Sequence, residues 1–328
     1  MKETCENAEG SHNPEKQPTL AVGKQSNGKS RFRSPAVHLD LSVVTRRFIN
    51  WQIAISERFD NWLPQSCRIN GETHFQNVIA PPHIIKGITI CDVGGGKRPY
   101  VTAEMKSTFA LKTIGVDIDQ RELDSAPCGT YTATICDDIS TFRGNHDVDL
   151  VICQSVLEHV PKVDLALQSI ASMLKPSGVA LIFLPCRNAL FARLNLVFPE
   201  KLKQWLLFTI FPGSSSICGF RSYYNQCTPN RIARLASQNG FLIQEVHAYF
   251  YSYYFTFFFP FHLIWRVWSL LSRAVLGNAA AESFTIIVKR PGDADRHSCE
   301  MSSEFVKKMA VARSMASPPP QYVQAGWL

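Results

Sequence analysis

The sequence predicts an α/β fold, a mostly parallel sheet with helices on both faces and apolar insertions. Three observations carry this. Short apolar runs alternate with helix-like patterns through the middle of the chain, the arrangement that produces parallel strands covered by crossover helices. A cluster of three glycines follows the first of these runs, as at a tight strand-to-helix turn. The apolar share of 45 % over 328 residues gives ample material for a core.

Residues 1–36 and 292–328 hold too little apolar surface to offset the entropy of ordering and are expected to be disordered tails around a domain at 37–291. In residues 39–63 the apolar positions recur at three- and four-residue steps, which predicts an amphipathic lid helix. Ile88–Val93 reads as a buried strand running into the glycines. Pro99–Lys106 reads as a helix with proline in its first turn, where a missing N–H costs nothing. Thr113–Val116, Tyr131–Cys136 and Asp149–Cys153 are the next strands. Val163–Leu174 is a helix with Leu167, Ile170 and Leu174 on one side, closed by Lys175-Pro176-Ser177-Gly178. Val179–Leu184 is a fifth strand, Thr228–Asn239 a helix capped by Gly240, and Phe241–Ala248 and Ser283–Lys289 the last two strands. Two segments exceed this plan: an insertion over 191–224, containing the apolar run Trp205–Phe211, and a longer aromatic one over 249–281.

The net charge of +7 is unevenly spread. Residues 187–281 carry nine Lys and Arg against Glu200 and Glu245 alone, which points to an anionic partner such as a phospholipid surface or a phosphate-bearing substrate, or to a solvated basic face. Long apolar runs interleave these cations, which argues against nucleic acid. The ten cysteines form no C-x-x-C pair. Cys91, Cys136 and Cys153 fall in apolar runs, where free cysteine behaves as a small hydrophobe. That fits a reducing, cytoplasmic setting, and the polar N-terminus lacks a signal-peptide core.

The glycine turn Asp92-Val93-Gly94-Gly95-Gly96 lets backbone approach a ligand without a Cβ in the way, at the strand end where open sheets bind ligands. Asp117 closes the next strand and suits a pair of ribose hydroxyls. Asp137 and Asp138 end the third strand, where an adenine amine would lie. A nicotinamide dinucleotide would want a third glycine where Pro99 stands, and a pyrophosphate would be repelled by Asp92. A cationic ammonium would be attracted by it, and S-adenosylmethionine carries one without any phosphate.

At these residues the resemblance is to the class I S-adenosylmethionine-dependent methyltransferases. Asp92–Gly96 looks like their motif I, and Gly115-Val-Asp117-Ile118-Asp119 like their acidic ribose motif. Asp149–Val160, with Glu158-His159, followed by Leu174–Gly178, is similar to the signature of the type 11 methyltransferase family. The resemblance covers roughly 85–186 and resumes at 228–248 and 283–289. It implies a Rossmann-like sheet with an antiparallel last strand and S-adenosylmethionine as cofactor. Asp92, Gly94 and Gly96 would face the methionine, Asp117 the ribose and Asp138 the adenine region, with Gln154 near the sulfonium and Gly95, Ile118 and Asp137 among the cofactor-binding residues.

Methyl transfer from a sulfonium asks the protein mainly to align the acceptor and exclude water, with a general base where the acceptor is a weakly acidic hydroxyl. The candidates are His159, His74, Glu158 and His247, of which His159 and His74 are favoured. Some quinone-pathway O-methyltransferases that resemble this stretch carry Glu-x-x-Glu-His for a metal. Ser155 replaces its first glutamate here, so no metal is expected.

Tyr249–Leu271 is long enough on paper to span a bilayer. A single span would part the sixth and seventh strands, so the chain must return to its starting side. Pro260 would split the segment into two arms, and its Trp, Tyr and Arg suit a peripheral membrane contact. An enlarged core, a dimer interface or a pocket for a lipophilic acceptor are the other readings. The sequence therefore points to methyl transfer onto a lipophilic or lipid-linked small molecule. A soluble metabolite with a dimer-forming insertion, or a non-catalytic cofactor-binding membrane protein, are the alternatives.

Overall fold

The computed structural model describes residues 41–197, 220–253, 255–292 and 295. The two expected tails lie outside these residues apart from Gly292 and Asp295, as do Trp205–Phe211 with Lys201 and Lys203. The chain falls into two units, 1–44 and 45–328. Of the first, only Leu41–Val44 is described, as the opening turn of helix α1 (Leu41–Asp60). Everything that follows concerns the second.

Seven strands are described: β1 (Thr89–Val93), β2 (Lys112–Asp117), β3 (Ala133–Cys136), β4 (Val148–Gln154), β5 (Leu174–Pro185), β6 (Leu242–Tyr249) and β7 (Ser283–Lys289). They form one sheet in the order β3-β2-β1-β4-β5-β7-β6. The first five are parallel, and β7 lies antiparallel between β5 and β6, because β6 and β7 are joined without a crossover back to the opposite end.

Burial follows from this order. β1, β4, β5 and β7 are largely buried and mostly apolar, as interior strands of such sheets are. On one face Cys91, Val151, Ile182 and Ile286 pack against helices α5 (Val163–Met173) and α7 (Pro229–Gln238), with α6 (Leu190–Val197) between these two in the chain. On the other, Ile90, Leu150, Ile152 and Leu181 pack against Phe75, Ile79 and Val101. Each such side chain contributes roughly 1.5–3 kcal/mol of transfer free energy. The edge strands β3 and β6 are mostly exposed, so Cys136 faces solvent rather than the core expected for it.

Three boundaries differ from the sequence reading for local reasons. The helix after the glycines, α3 (Ala103–Thr108), starts four residues later than expected. The Tyr100 N–H is spent on the Asp92 carboxylate at 2.7 Å, and Thr102 caps the helix from its side chain instead. β5 begins already at Leu174, paired with Val148. The 175–178 turn is a bulge in it, with Ser177 at φ +64°. Pro260 opens a helix instead of dividing one: α8 (Phe259–Leu276) carries it in the first turn, and Phe255–Phe257 are a turn before it.

α8 is held to α1 by a buried polar cluster. Asp60 Oδ1 is 2.8 Å from Arg266 Nε and its Oδ2 is 2.9 Å from His262 Nε2. Arg266 also donates to the carbonyls of Phe250 and Cys67 at 2.8 Å each, and Trp265 donates to Glu282 at 2.9 Å. Arg266 is fully buried, so this cation contributes nothing to the basic face expected from the local charge. Among the described residues no helix is long and apolar enough to cross a membrane.

Candidate active site

The site forms where β1 and β4 lie side by side and their connections leave in opposite directions, the switch point at which open α/β sheets bind ligands. β1 delivers Asp92, and the chain then bends through Gly94 (φ +71°) and Gly96 (φ +44°), values that L side chains avoid. Gly95 is required by space instead. A Cβ there would stand 2.6 Å from the Asp92 carboxyl carbon and from the Tyr131 hydroxyl. Tyr131 reaches that spot because Gly115, the register partner of Asp92, leaves room for its ring.

Asp92 is 4 % exposed. Burial raises its pKa to about 7, against the opposing pull of the Tyr100 N–H. Asp117 closes β2 beside the bend, with Oδ1 accepting from Asp119 N at 3.0 Å. Burial also raises its pKa, with Asp119 N opposing. Ile118, next in line, is an exposed apolar side chain. Asp137 and Asp138 directly follow β3 and bond to nearby backbone: Asp137 Oδ1 accepts from Asp138 N at 2.7 Å, and Asp138 Oδ1 from Ser140 N at 2.8 Å. Part of their acceptor capacity is thus used in an Asx turn.

A cavity of about 740 Å³ opens on the bend, within the range of small-molecule sites (roughly 300–1,000 Å³). It is lined by Asp92, Gly94 and Gly95, and by Gln154 and Ser155 from the end of β4. Glu72, Lys97, Arg98, Glu122 and Phe220 complete much of the wall, and none of these five is a site residue in the sequence reading. Glu72 comes from the short helix α2 (Gly71–His74), which Asn70 caps by accepting from Thr73 N. Its Oε1 accepts from Gln154 Nε2 at 3.3 Å. Glu122 sits in the first turn of α4 (Gln120–Asp124) and pairs with Lys97 at 2.9 Å.

The two histidines singled out from sequence do not line the cavity. His159 is behind Phe220, ring centres 6.3 Å apart, and its Nδ1 lies 3.1 Å from the Arg221 carbonyl. That contact requires Nδ1 to donate, which leaves Nε2 as the basic nitrogen. Burial lowers the His159 pKa, with the Arg221 carbonyl opposing. His74 turns from the cavity toward the sheet, Nδ1 3.0 Å from the Tyr249 hydroxyl, which in turn meets Thr285 Oγ1 at 3.2 Å. Burial lowers its pKa, and nearby His247 lowers it further. Glu158 is buried beside His159, and burial raises its pKa to about 8.

Carboxylates surrounding a glycine bend match a ligand with a cationic amino-acid end. A pyrophosphate is poorly matched here, since α3 begins only seven residues beyond Gly96 and the Asp92 carboxylate lines the cavity. Sheet order, bend and acidic strand ends together define a class I S-adenosylmethionine-dependent methyltransferase.

Comparison with known proteins agrees. Residues 67–246 match the model of a methyltransferase-domain family, and the chain belongs to that family. It is similar to ubiquinone biosynthesis O-methyltransferase of Bradyrhizobium diazoefficiens, 24 % identical over 183 residues, covering 54 % of this chain and 68 % of that one. The protein of the same name from Nitrobacter winogradskyi is 26 % identical over 173 residues, covering 51 % of this chain and 62 % of the relative. A solved S-adenosylmethionine-dependent methyltransferase from Mesorhizobium loti aligns at 14 % identity and TM-score 0.41, covering 66 % of this chain and all of that one.

Proposed function

We propose that this enzyme methylates a lipophilic small molecule presented at a membrane surface. One observation carries the membrane part of this reading: α8 is built inside out. Its buried positions are His262, Trp265, Arg266 and Ser269. Its exposed positions include Phe261, Ile264, Val267, Trp268, Leu271 and Val275, between 48 and 82 % accessible. A helix on a water-soluble surface distributes these classes the other way round. An apolar stripe free of charge, with its polar groups turned inward, matches the depth profile of an interfacial helix. The relatives named for ubiquinone biosynthesis support a lipid-soluble acceptor of the same general kind.

At the site, the bound cofactor would supply a methyl group activated by its sulfonium. Asp92, the glycine bend and Asp117 would hold it, and Gln154 with Glu72 would border the acceptor side. Phe220 would cover the reacting atoms from water, with His159 behind it. Alignment is the main contribution of such a site. His159 Nε2 would reach an acceptor hydroxyl only after Phe220 moves aside.

The test is flotation of the full chain with phosphatidylglycerol–phosphatidylethanolamine vesicles, beside its Ile264→Glu/Leu271→Glu variant. The reading expects the unaltered chain to float and the variant to stay in the dense fraction with unchanged cofactor binding. It also expects labelled methyl groups to enter an organic-soluble product from membrane extracts. A chain that stays in the dense fraction and forms a dimer dissociated by the same substitutions would overturn the membrane reading and assign the stripe to a second copy.

A further inference from the structure

The cofactor's amino-acid end is a zwitterion, and the carboxylates of the cavity answer only its positive half. Asp92, Glu72 and Glu122 all line it. A carboxylate entering beside them is repelled unless a cation meets it. Two cationic side chains line the cavity. Lys97 Nζ is held by Glu122 Oε1 at 2.9 Å, so its charge is already matched. Arg98 is exposed, and among the described residues its guanidinium has no hydrogen-bond or ion-pair partner.

The root of this arginine is fixed where its head is not. Arg98 N–H donates to the Gly95 carbonyl at 2.7 Å, closing the bend. Pro99 restricts the next φ, and Tyr100 N–H is tied to Asp92 at 2.7 Å. The Cα of Arg98 is thereby set at the mouth of the glycine cradle, two residues beyond Gly96, with a free fork on a short tether. A planar guanidinium offers two parallel donors to a carboxylate, and it keeps its charge at any working pH.

We infer that Arg98 clamps the methionine carboxylate of the cofactor, while the carboxylates on the other walls receive its ammonium. This rests on the cofactor assignment above and adds a side-chain specificity determinant within the glycine bend.

Calorimetry on the full chain separates the two. The probes are S-adenosylmethionine and its decarboxylated form, which keeps the adenosine, the sulfonium and the amine but lacks the carboxylate. The Arg98→Ala variant is expected to lose roughly ten- to a hundred-fold in affinity for S-adenosylmethionine, and less than about three-fold for the decarboxylated form. Arg98→Lys should recover part of the loss, since an ammonium keeps the charge without the fork. An equal loss on both ligands, or no loss on either, would overturn the clamp and assign the arginine to the acceptor side or to solvent. Failure of the unaltered chain to bind either ligand would overturn the cofactor assignment itself and the clamp with it. Thermal melting of both variants checks that an exposed substitution leaves the fold intact.

Discussion

Replacing Asp92 by asparagine should make the cofactor-free protein more stable and the cofactor weaker, and the first effect should grow with pH. The carboxyl is buried, and its pKa is raised from 3.8 to about 7. The folded state therefore holds a proton that the unfolded state releases. A group raised in this way favours folding at low pH and loses that advantage as pH climbs through the window from about 4 to 7. The full span corresponds to roughly 4 kcal/mol, at 1.36 kcal/mol per pH unit, of which about 2.5 kcal/mol falls between pH 5 and pH 8. Asparagine carries no such penalty and keeps an oxygen for the Tyr100 N–H. Urea denaturation at pH 5 and pH 8 should find the variant gaining on the unaltered chain by about 1–2.5 kcal/mol over that interval. Taking the difference between variant and unaltered chain removes other titrating groups, such as Glu158. Calorimetry at pH 8 should find S-adenosylmethionine bound at least roughly ten-fold more weakly, the cation having lost its counter-charge. A stability difference that stays flat between pH 5 and pH 8, or an unchanged affinity, would refute the claim that a buried ionised carboxylate at the end of β1 receives the cofactor's positive charge.

Three further outcomes follow from the same geometry. Asp117→Ala should weaken S-adenosylmethionine binding by roughly ten-fold or more in the same calorimetric assay, and the melting temperature should fall as well, since the buried carboxylate accepts from Asp119 N. Gly95→Ala should lower both stability and affinity, by about 1–3 kcal/mol in denaturation, since the new methyl would stand 2.6 Å from the Asp92 carboxyl and the Tyr131 hydroxyl. Asp60→Ala should cost about 3–5 kcal/mol of stability by leaving Arg266 and His262 buried without their anion, while Asp60→Asn costs less, both read from urea midpoints.

The sheet was legible in the sequence wherever an element is decided by its own residues. Ile88–Val93 and Asp149–Cys153 announce buried strands because both faces are apolar, and Gly94–Gly96 announce the bend because backbone conformation demands glycine there. Boundaries failed where a distant group took over a local one: Asp92 removes the Tyr100 N–H from the helix that Pro99 would otherwise begin. Composition alone could not say that Cys136 lies on an exposed edge, which depends on strand order. The site divides along the same line. Asp92 lines the cavity and sits in an ordered motif whose spacing singles it out; Asp117, singled out by the same spacing, closes β2 beside the bend without being one of the lining residues. Glu72 reaches the cavity from before the first strand and Phe220 from beyond the fifth, and only tertiary packing brings either to the bend. Glu72 and Gln76, one helical turn apart and both lining the cavity, were the one faint signal available.

The aromatic segment gains its meaning from what it buries. A helix apolar on every side has no preferred rotation, because lipid, core and a second protein surface would all accept any of its faces. α8 has one face that accepts a single neighbour. Arg266 and His262 must meet Asp60, and the Arg266 guanidinium must also reach the Phe250 and Cys67 carbonyls. Removing the Arg266 and Asp60 charges from water costs several kcal/mol, an outlay a purely apolar contact with α1 would avoid. What the polar cluster supplies in exchange is orientation. With Arg266 turned to Asp60, helical periodicity sends Ile264, Trp268, Leu271 and Val275 to the outside together. Among the described residues the segment holds no helix long and apolar enough to cross a membrane, and the polar residues of α8 are spaced to dock one face on α1. The face left over is the one proposed to meet the lipid from which an acceptor would come.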